Sequence, residues 1–241
     1  MSMLPVKAMF MLAWRNLWRN HRRTTIMLAA ITVGVWAMIF MTALMRGMVD
    51  DMLLNGIRSL PGEVQIHHPE YRDDPSINNS MAPPGIELLE ALQILQLTAW
   101  TSRVRVPAVI SSERDSRGAV LLGIEPGSEV QVSFDLDTIS EGRFLEDSGD
   151  KGLVIGAKMA ERLETDLGKR VVVMSQDPDN NIADRGFRIV GIYRAKLASL
   201  EETYLYAGRE TVQKLLKLGD RVSEIAITSE DYRNVDNWYP R

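Results

Sequence analysis

The sequence contains no cysteine. It therefore forms no disulfide, offers no thiolate nucleophile and holds no metal through cysteine. Four common motifs are also absent: G-x-x-x-x-G-K-[ST], G-x-G-x-x-G, H-E-x-x-H and G-x-S-x-G. These absences exclude a P-loop nucleotide site and the usual signatures of dinucleotide-binding proteins, zinc proteases and serine hydrolases. We therefore expect no catalytic residue, no metal site and no cofactor in this chain.

Histidine is scarce. The three histidines are His21, His67 and His68. The last two are adjacent, so on a strand they point to opposite faces and cannot bind one ion together. One oxygen-rich loop has weak calcium-loop character, and its members are Asp177, Asp179, Asn180, Asn181 and Asp184. It lacks the glycine and the terminal glutamate of an EF-hand, which favours an ordinary solvated hairpin loop.

Negative charge is missing from the start of the chain, since no Asp or Glu precedes Asp50. Five of the 28 basic residues lie in the first 23 positions, so the other 23 face all 32 acidic residues, a formal balance of −9. A basic head and an acidic body indicate opposite sides of a membrane. The acidic body also argues against nucleic acid as a partner, because phosphates require a basic face.

A long uncharged run follows the basic head. Thr24 to Met45 carries no charged side chain. As a helix it spans roughly 33 Å, enough for a hydrocarbon core of about 30 Å. The positive-inside rule places the N-terminus in the cytoplasm and the residues after Arg46 outside it. A cleaved signal peptide is the alternative, but the run is longer than a typical signal and no A-x-A site follows.

The segment from Pro5 to Asn20 has the period of an amphipathic helix, with Phe10, Trp14, Leu17 and Trp18 on one arc. Tryptophan together with arginine is typical of a helix at the membrane surface, with basic groups near anionic head groups. The predicted membrane-interface residues are Trp14, Arg15, Trp18, Arg19, Arg22 and Arg23. A solvated leader that only supplies positive charge is the alternative interpretation.

The acidic body is predicted to be an α+β domain with more strand than helix. Turn residues bound short alternating or apolar runs, which is the pattern of strands. Helices are predicted at Ile86–Gln96, Ala157–Leu167 and Arg209–Lys217, and strands at Gly62–His67, Thr101–Ser111, Ala119–Ile124, Gly152–Ile155, Arg170–Ser175, Phe187–Tyr193 and Glu224–Thr228. Pro107 predicts an edge or a break in its strand. His68–Pro84 and Gln176–Asp184 are predicted loops, and Glu125–Gly127 is a predicted turn. Gly168 is predicted to close the helix that begins at Ala157.

Several segments in the same order resemble one family. The opening Ala13–Thr24 (AWRNLWRNHRRT), which runs directly into the apolar helix, resembles the start of the FtsX/MacB-type ABC permeases. Further similar segments are Gly62–Ile66, Leu122–Pro126, Glu141–Leu145, Val154–Leu163 with Leu167–Gly168, and Phe187–Tyr193. In pattern they are most similar to the lipoprotein-releasing, LolC/LolE-like permeases. Together they cover nearly the whole chain.

The resemblance implies a transmembrane subunit in the bacterial inner membrane that works by mechanotransmission. ATP would be bound by a separate cytoplasmic ATPase subunit. Other implied partners are a second permease subunit, identical or not, membrane lipid and a periplasmic carrier. The substrate class it implies is lipid-linked or amphipathic, such as a lipoprotein.

The resemblance also implies a domain plan. Residues 1–45 would hold the cytoplasmic amphipathic helix and the first membrane span at about 24–45, and residues 46–241 the periplasmic core domain. That domain would comprise a porter-like part at 46–112 and 196–241 and a strand-rich part at 113–195. Such permeases carry three more membrane helices, so we expect the 241 residues to be part of a longer protein. The alternatives are a single-span periplasmic adaptor or binding module and a membrane-anchored enzyme.

Overall fold

The computed structural model describes residues 6–58, 64–71, 74–86, 88, 90 and 99–228. They divide into two units, at 1–55 and 56–241. The first unit consists of helix α1 (Val6–Arg19) and most of helix α2 (His21–Arg58). Both helices form where the amphipathic and apolar patterns predict them.

The second unit is a mixed domain of nine strands and short helices within the described residues. The strands are β1 (Val64–His67), β2 (Ala99–Ser111), β3 (Ser116–Ile124), β4 (Ile139–Gly142), β5 (Gly152–Gly156), β6 (Arg170–Gln176), β7 (Ile182–Tyr193), β8 (Tyr204–Gly208) and β9 (Glu224–Thr228). The helices are α3 (Pro126–Val132), α4 (Ala157–Arg162), α5 (Ala198–Thr203) and α6 (Arg209–Leu216). The predicted α+β class with more strand than helix is confirmed.

Six of the strands close into a barrel in the order β2-β3-β8-β5-β7-β6, because β6 pairs with both β7 and β2. The β3–β8 and β5–β7 pairs are parallel, and the other four are antiparallel. Closure leaves these strands without a continuous free edge. The remaining strands are additions: β4 pairs with the end of β7, while β9 and then β1 extend from the start of β2.

The barrel interior is filled by alternate residues of each strand. On β2 the inward residues Val104, Val106 and Ile110 are each 3% exposed or less. The same cluster contains members of the other five strands and residues from α4 and α6: Leu121, Leu153, Ile155, Met159, Val171, Val173, Phe187, Ile189, Leu205, Val212 and Leu216. A period of two puts one apolar row inside the barrel and the other row outside.

Two further apolar clusters lie outside the barrel. One covers the outer face of β3, β5 and β8 and includes Phe134, whose ring stacks on Phe144 at 4.1 Å and meets Tyr206 edge-on at 5.1 Å. The other lies on the two-stranded extension of β1 and β9, which we call the β1–β9 ribbon; Ile225 and Ile227 are buried there with Trp100 packed against them.

Strand β2 changes partners halfway along its length. Ala99 to Arg103 pair with β9, whereas Val104 to Ser111 pair with β3. Strand β6 joins the other edge only from Val109. Pro107 therefore lies inside a continuous strand but on a stretch of free edge, where its missing N–H leaves no ladder partner unsatisfied. The predicted edge position at Pro107 is confirmed, and the strand is not broken.

The helix predicted at Ala157–Leu167 ends earlier, at Arg162. Glu164 adopts a left-handed conformation with φ 48°, its N–H donates to the carbonyl of Glu161, and the N–H of Thr165 donates to that of Ala160. This is a Schellman ending on a residue other than glycine. The prediction of Gly168 as the helix end was therefore wrong, although Gly168 does have a positive φ of 80°.

Three loop predictions also need correction. The predicted loop at Gln176–Asp184 is shorter, because β7 already begins at Ile182 and pairs with Gln176. The predicted turn at Glu125–Gly127 starts helix α3, with Pro126 in the first turn, where its fixed φ suits a helix. The described part of the predicted loop His68–Pro84 is anchored, since Tyr71 and Ile77 are buried. Gly62, Glu63 and most of the helix predicted at Ile86–Gln96 lie outside the described residues.

Candidate functional site

The first candidate site is the set of six predicted interface residues on α1 and the start of α2. Trp14 and Trp18 are 60% and 65% exposed, and their ring centroids lie 6.2 Å apart on successive turns. Arg15, Arg19, Arg22 and Arg23 are all exposed, and none pairs with an acidic residue of the described chain. The structure thus groups the six residues within about three turns of helix, next to the predicted span.

The apolar helix α2 is exposed along its whole described surface. From His21 to Asp50 it is long and apolar enough to cross a membrane, and none of its most apolar window is buried. The contacts of its side chains are within the helix. Trp36 stacks on Phe40, and the hydroxyl of Thr42 donates to the backbone carbonyl of Met38 at 2.8 Å. An apolar surface this large, without a protein partner, is typical of a segment that contacts lipid.

Thr24 connects the two helices of this unit. Its hydroxyl donates to the carbonyl oxygen of Leu17 at 3.0 Å and lies 3.3 Å from that of Asn20, the residue between α1 and α2. The Leu17 carbonyl belongs to the last turn of α1, where carbonyls lack intrahelical partners. The bond therefore holds the arginine-rich end of α1 at the start of α2.

The second candidate site is a buried ion cluster in the second unit. Arg103 of β2 and Glu129 of α3 are fully buried. The guanidinium donates to both carboxylate oxygens of Glu129, from Nε to Oε2 at 2.9 Å and from Nη2 to Oε1 at 2.7 Å. Ser133 completes this side, because its hydroxyl accepts from Arg103 Nη2 and donates to Glu129 Oε1 at 2.6 Å. This is a bidentate pair removed from water.

Glu224 of β9 binds the other side of the same guanidinium. Arg103 Nη1 donates to Glu224 Oε1 at 3.1 Å. Glu224 Oε2 accepts no hydrogen bond among the described residues, and Arg105 Nη1 lies 3.9 Å from it. Arg105 is partly exposed and donates to the Tyr204 hydroxyl at 3.3 Å. Two cations thus balance two buried carboxylates, as burial in a low dielectric demands.

The pKa values of the buried groups show how charge is held here. Burial alone would lower the pKa of Arg103, but Glu129 and then Glu224 outweigh it, so the pKa lies above its ordinary value. Burial raises the pKa of Tyr206, and the charge of Glu129 raises it further. Burial and Glu224 likewise raise the pKa of Tyr71, against the opposing effect of Arg105. Arg103 stays cationic and both tyrosines stay neutral at physiological pH.

In the oxygen-rich loop, Asp177 is engaged by the protein's own backbone and by one lysine. Asp177 turns inward, and its Oδ1 accepts from the backbone N–H groups of Asp179 at 3.0 Å and Asn181 at 2.8 Å. Its Oδ2 lies 3.1 Å from Lys217 Nζ. No group of three or more metal-ligating side chains occurs among residues 6–58, 64–71, 74–86 and 99–228. The interpretation as a hairpin loop is supported, with Asp177 acting as its internal cap.

Sequence reasoning missed the Arg103 cluster. Its members are distant in the sequence, and each stands alone among ordinary polar neighbours. The sequence signal is weak, because Arg103 is one of two arginines, with Arg105, in the predicted strand Thr101–Ser111. Only the pairing of β2 with β9 and the packing of α3 identify its two partners.

Comparison with known proteins now identifies the family. The model of the MacB-like periplasmic core domain matches residues 24–238. The structure is similar to the extracellular domain of the noncanonic ABC-type transporter YknZ from Gram-positive bacteria, with 17% identity, 72% of this chain and 86% of that chain covered, and a TM-score of 0.48. It is also similar to the periplasmic region of MacB from Actinobacillus actinomycetemcomitans, with 16% identity, 72% of this chain and 78% of that chain covered, and a TM-score of 0.47. No curated protein matches the chain significantly.

The chain belongs to the family of MacB-like periplasmic core domains. It is thus a membrane component of an FtsX/MacB-type ABC-transporter permease, which places it in the cell membrane with an extracytoplasmic domain and a cytoplasmic ATPase as partner. Domains of this family are transport components and not catalytic ones. The resemblance to FtsX/MacB-type permeases is confirmed, whereas the narrower one to LolC/LolE stays a prediction.

Proposed function

We propose that this protein is a permease subunit that works by mechanotransmission and releases or exports an amphipathic, lipid-linked substrate such as a lipoprotein. One observation carries the proposal: a single family match covers both the apolar helix and the extracytoplasmic body, from residue 24 to residue 238. A helix joined directly to an outer domain can convert movement at the membrane into movement outside it. ATP would be hydrolysed by a separate subunit.

We further propose that the N-terminus is cytoplasmic and that α1 lies at the inner surface. Four exposed arginines near the span, with no acidic residue before Asp50, support this orientation. Trp14 and Trp18 would sit at head-group depth with Arg15, Arg19, Arg22 and Arg23 among anionic lipids. The exposed aromatic pair on α1 favours this over a solvated leader.

The predicted division of the body, with 46–112 and 196–241 as the porter-like part and 113–195 as the strand-rich part, is kept as a proposal in outline. The strand pairing favours a different boundary between the porter-like and strand-rich parts. Strands β2 and β8 share one barrel with the strands of 113–195, whereas the start of β2 belongs to the β1–β9 ribbon. We therefore place the boundary within β2, next to Arg103.

A second permease subunit, identical or not, and a periplasmic carrier complete the proposed set of partners. The test is purification of the full-length gene product from solubilised membranes, with ATP turnover measured in the presence and absence of this protein. A stoichiometric ATPase whose turnover depends on the protein is the expected result. A protein that purifies alone and has no effect on ATP turnover would refute the permease function and favour a single-span adaptor.

Orientation is tested separately, and the lack of native cysteine makes the test clean. Asn20→Cys and Asp179→Cys each introduce a single thiol into these 241 residues, which contain no cysteine, at exposed positions before the span and in the extracytoplasmic body. In intact spheroplasts a membrane-impermeant maleimide should label position 179 and should label position 20 only after lysis. The reverse pattern would overturn the proposed orientation without affecting the family assignment.

A further inference from the structure

The Arg103 cluster joins three parts of the extracytoplasmic body that are distant in sequence. Arg103 is the last residue of β2 that pairs with β9 before the strand turns to β3. Glu224 is the first residue of β9, and Glu129 lies on α3, which follows β3 of the barrel. The guanidinium therefore sits where the β1–β9 ribbon, the barrel and α3 meet.

The backbone at this junction is weakly paired. Among the described residues, β2 from Val104 to Ala108 has a strand partner on one edge only. Two serine side chains replace the missing ladder. Ser223 accepts from the N–H of Arg105 and donates to its carbonyl at 3.2 Å, and Ser175 donates to the carbonyl of Pro107 at 2.7 Å. Hydroxyl bridges satisfy the backbone but do not form a continuous sheet.

Among the residues that the structure describes, the apolar contact between α3 and the ribbon is also small. The buried cluster at that contact consists of Ala99, Val132 and Ala226. Two alanines and one valine bury little side-chain area and constrain orientation poorly. The bidentate Arg103–Glu129 pair and the Arg103–Glu224 bond are directional, so they define one relative position where the apolar contact does not.

We propose that Arg103, Glu129 and Glu224 form a positional lock, which fixes the β1–β9 ribbon against α3 and the barrel and adds little to the net stability of the fold. Buried ion clusters often contribute little net stability, because desolvation offsets their attraction, while a single conformation can still depend on them. The β1–β9 ribbon begins directly after α2 in the chain. If the proposed permease function holds, the lock transmits displacement of the ribbon to the barrel.

The test uses disulfide formation across the junction in the whole chain. Thr101 Oγ1 on β2 and Ser128 Oγ on α3 are 2.9 Å apart, so a cysteine pair there is close enough to oxidise. The control pair is Ser111→Cys with Ser116→Cys, which are cross-strand neighbours in contact on β2 and β3, away from the junction. Because these 241 residues contain no cysteine, each pair supplies the only thiols within them.

Both pairs are placed in the parent chain and in a variant with Arg103→Met, Glu129→Leu and Glu224→Leu. We expect the triple variant to keep its thermal midpoint within a few degrees. The Thr101/Ser128 pair should oxidise at least roughly tenfold more slowly, because the effective concentration of one thiol near the other falls. The control pair should oxidise at the parent rate. Equal rates for the Thr101/Ser128 pair in both backgrounds would overturn the lock.

If the triple variant does not fold, the same oxidation assay in an Arg103→Lys variant tests the lock. Lysine keeps the positive charge, but its ammonium group lacks the planar set of donors with which the guanidinium binds two carboxylates and a serine hydroxyl. Slower oxidation at Thr101/Ser128 in a folded Arg103→Lys chain supports the lock, and an unchanged rate refutes it. The assay needs neither ATPase nor substrate, so its outcome is independent of the permease function.

Discussion

Gly156 lies against the backbone of Glu201, so closely that a Cβ atom on Gly156 would come within 2.2 Å of the Glu201 carbonyl oxygen. This approach lets the buried Glu201 carboxylate accept from the N–H of Lys158 at 3.2 Å, in the first turn of α4. The end of β5, α4 and α5 are thereby joined at one point.

We expect Gly156→Ala to lower the free energy of unfolding by about 1–3 kcal/mol, because neither backbone can move away cheaply. Urea unfolding followed by circular dichroism measures the change. Gly118→Ala is the matched control: Gly118 is a strand glycine with no atom within 4 Å of its Cβ position. Equal effects of the two substitutions would show that the close approach is not present in solution.

Removing one member of the buried ion cluster should be costly. Glu129→Gln leaves Arg103 buried with a weaker partner, and we expect a loss of about 3 kcal/mol in the free energy of unfolding. Glu146→Gln is the control, since Glu146 is exposed and its pair with Arg143, at 3.4 Å, is a surface contact. That change should stay within about 0.5 kcal/mol. A loss at Glu129 no larger than at Glu146 contradicts the buried arrangement.

The hydroxyl of Tyr193 ties together two segments of the outer cluster. It lies 2.8 Å from the carbonyl of Leu200 and 3.1 Å from that of Tyr204, in a buried site. Tyr193→Phe should destabilise the domain by about 1–2 kcal/mol, because the single hydroxyl proton shared between these two partly buried carbonyls is lost. Thermal unfolding of the purified chain checks this. An unchanged thermal midpoint in Tyr193→Phe would mean that water replaces the hydroxyl.

Acid should weaken the β6–β7 hairpin through Asp177. The N–H of Asn181 and then Lys217 hold the pKa of this carboxyl below its usual range near 4. A depressed folded-state pKa adds stability that is complete above about pH 4 and is lost as pH falls through the folded-state pKa. Asp177→Asn should therefore flatten the fall in thermal midpoint below pH 4, whereas Asp179→Asn at the loop tip should not. Parallel pH profiles for Asp177→Asn and the parent chain would contradict this assignment.

The depth of α1 can be measured with lipid quenchers. In variants that retain only Trp14 or only Trp36, we expect Trp14 to be quenched best by a nitroxide near the head groups and Trp36 by one near the bilayer centre. The full chain in vesicles with anionic lipid is the sample. Absence of quenching at Trp14, with normal deep quenching at Trp36, would indicate a solvated leader.

Local patterns predicted the elements of this protein well where one signal dominates. The apolar run predicts α2 through its length, and the alternation of apolar residues predicts β9 and the interior row of β2. Tertiary contacts did not override any of these local patterns. The end of α4 was missed because Glu164, not glycine, takes the left-handed position. Nothing in a glutamate's local sequence signals that conformation.

The candidate sites differ in the same way. The interface residues Trp14 and Arg15 are neighbours in sequence, so an amphipathic helix alone brings them together. Arg103, Glu129 and Glu224 meet only because one strand pairs with two sheets in succession, and strand pairing is a non-local property. A single sequence can therefore predict a group of the first kind but could not predict the second.

Closure of the barrel has a consequence for biogenesis. Strand β8 lies between β3 and β5 in the barrel but is the last of the six barrel strands in the chain. The ring therefore cannot close until nearly the whole outer domain has been translocated. Until then Val104, Val106 and their neighbours present an unpaired apolar row, and a topology this non-local folds slowly. We therefore expect holding chaperones outside the cytoplasm to bind this domain during export, between the emergence of β2 and that of β8.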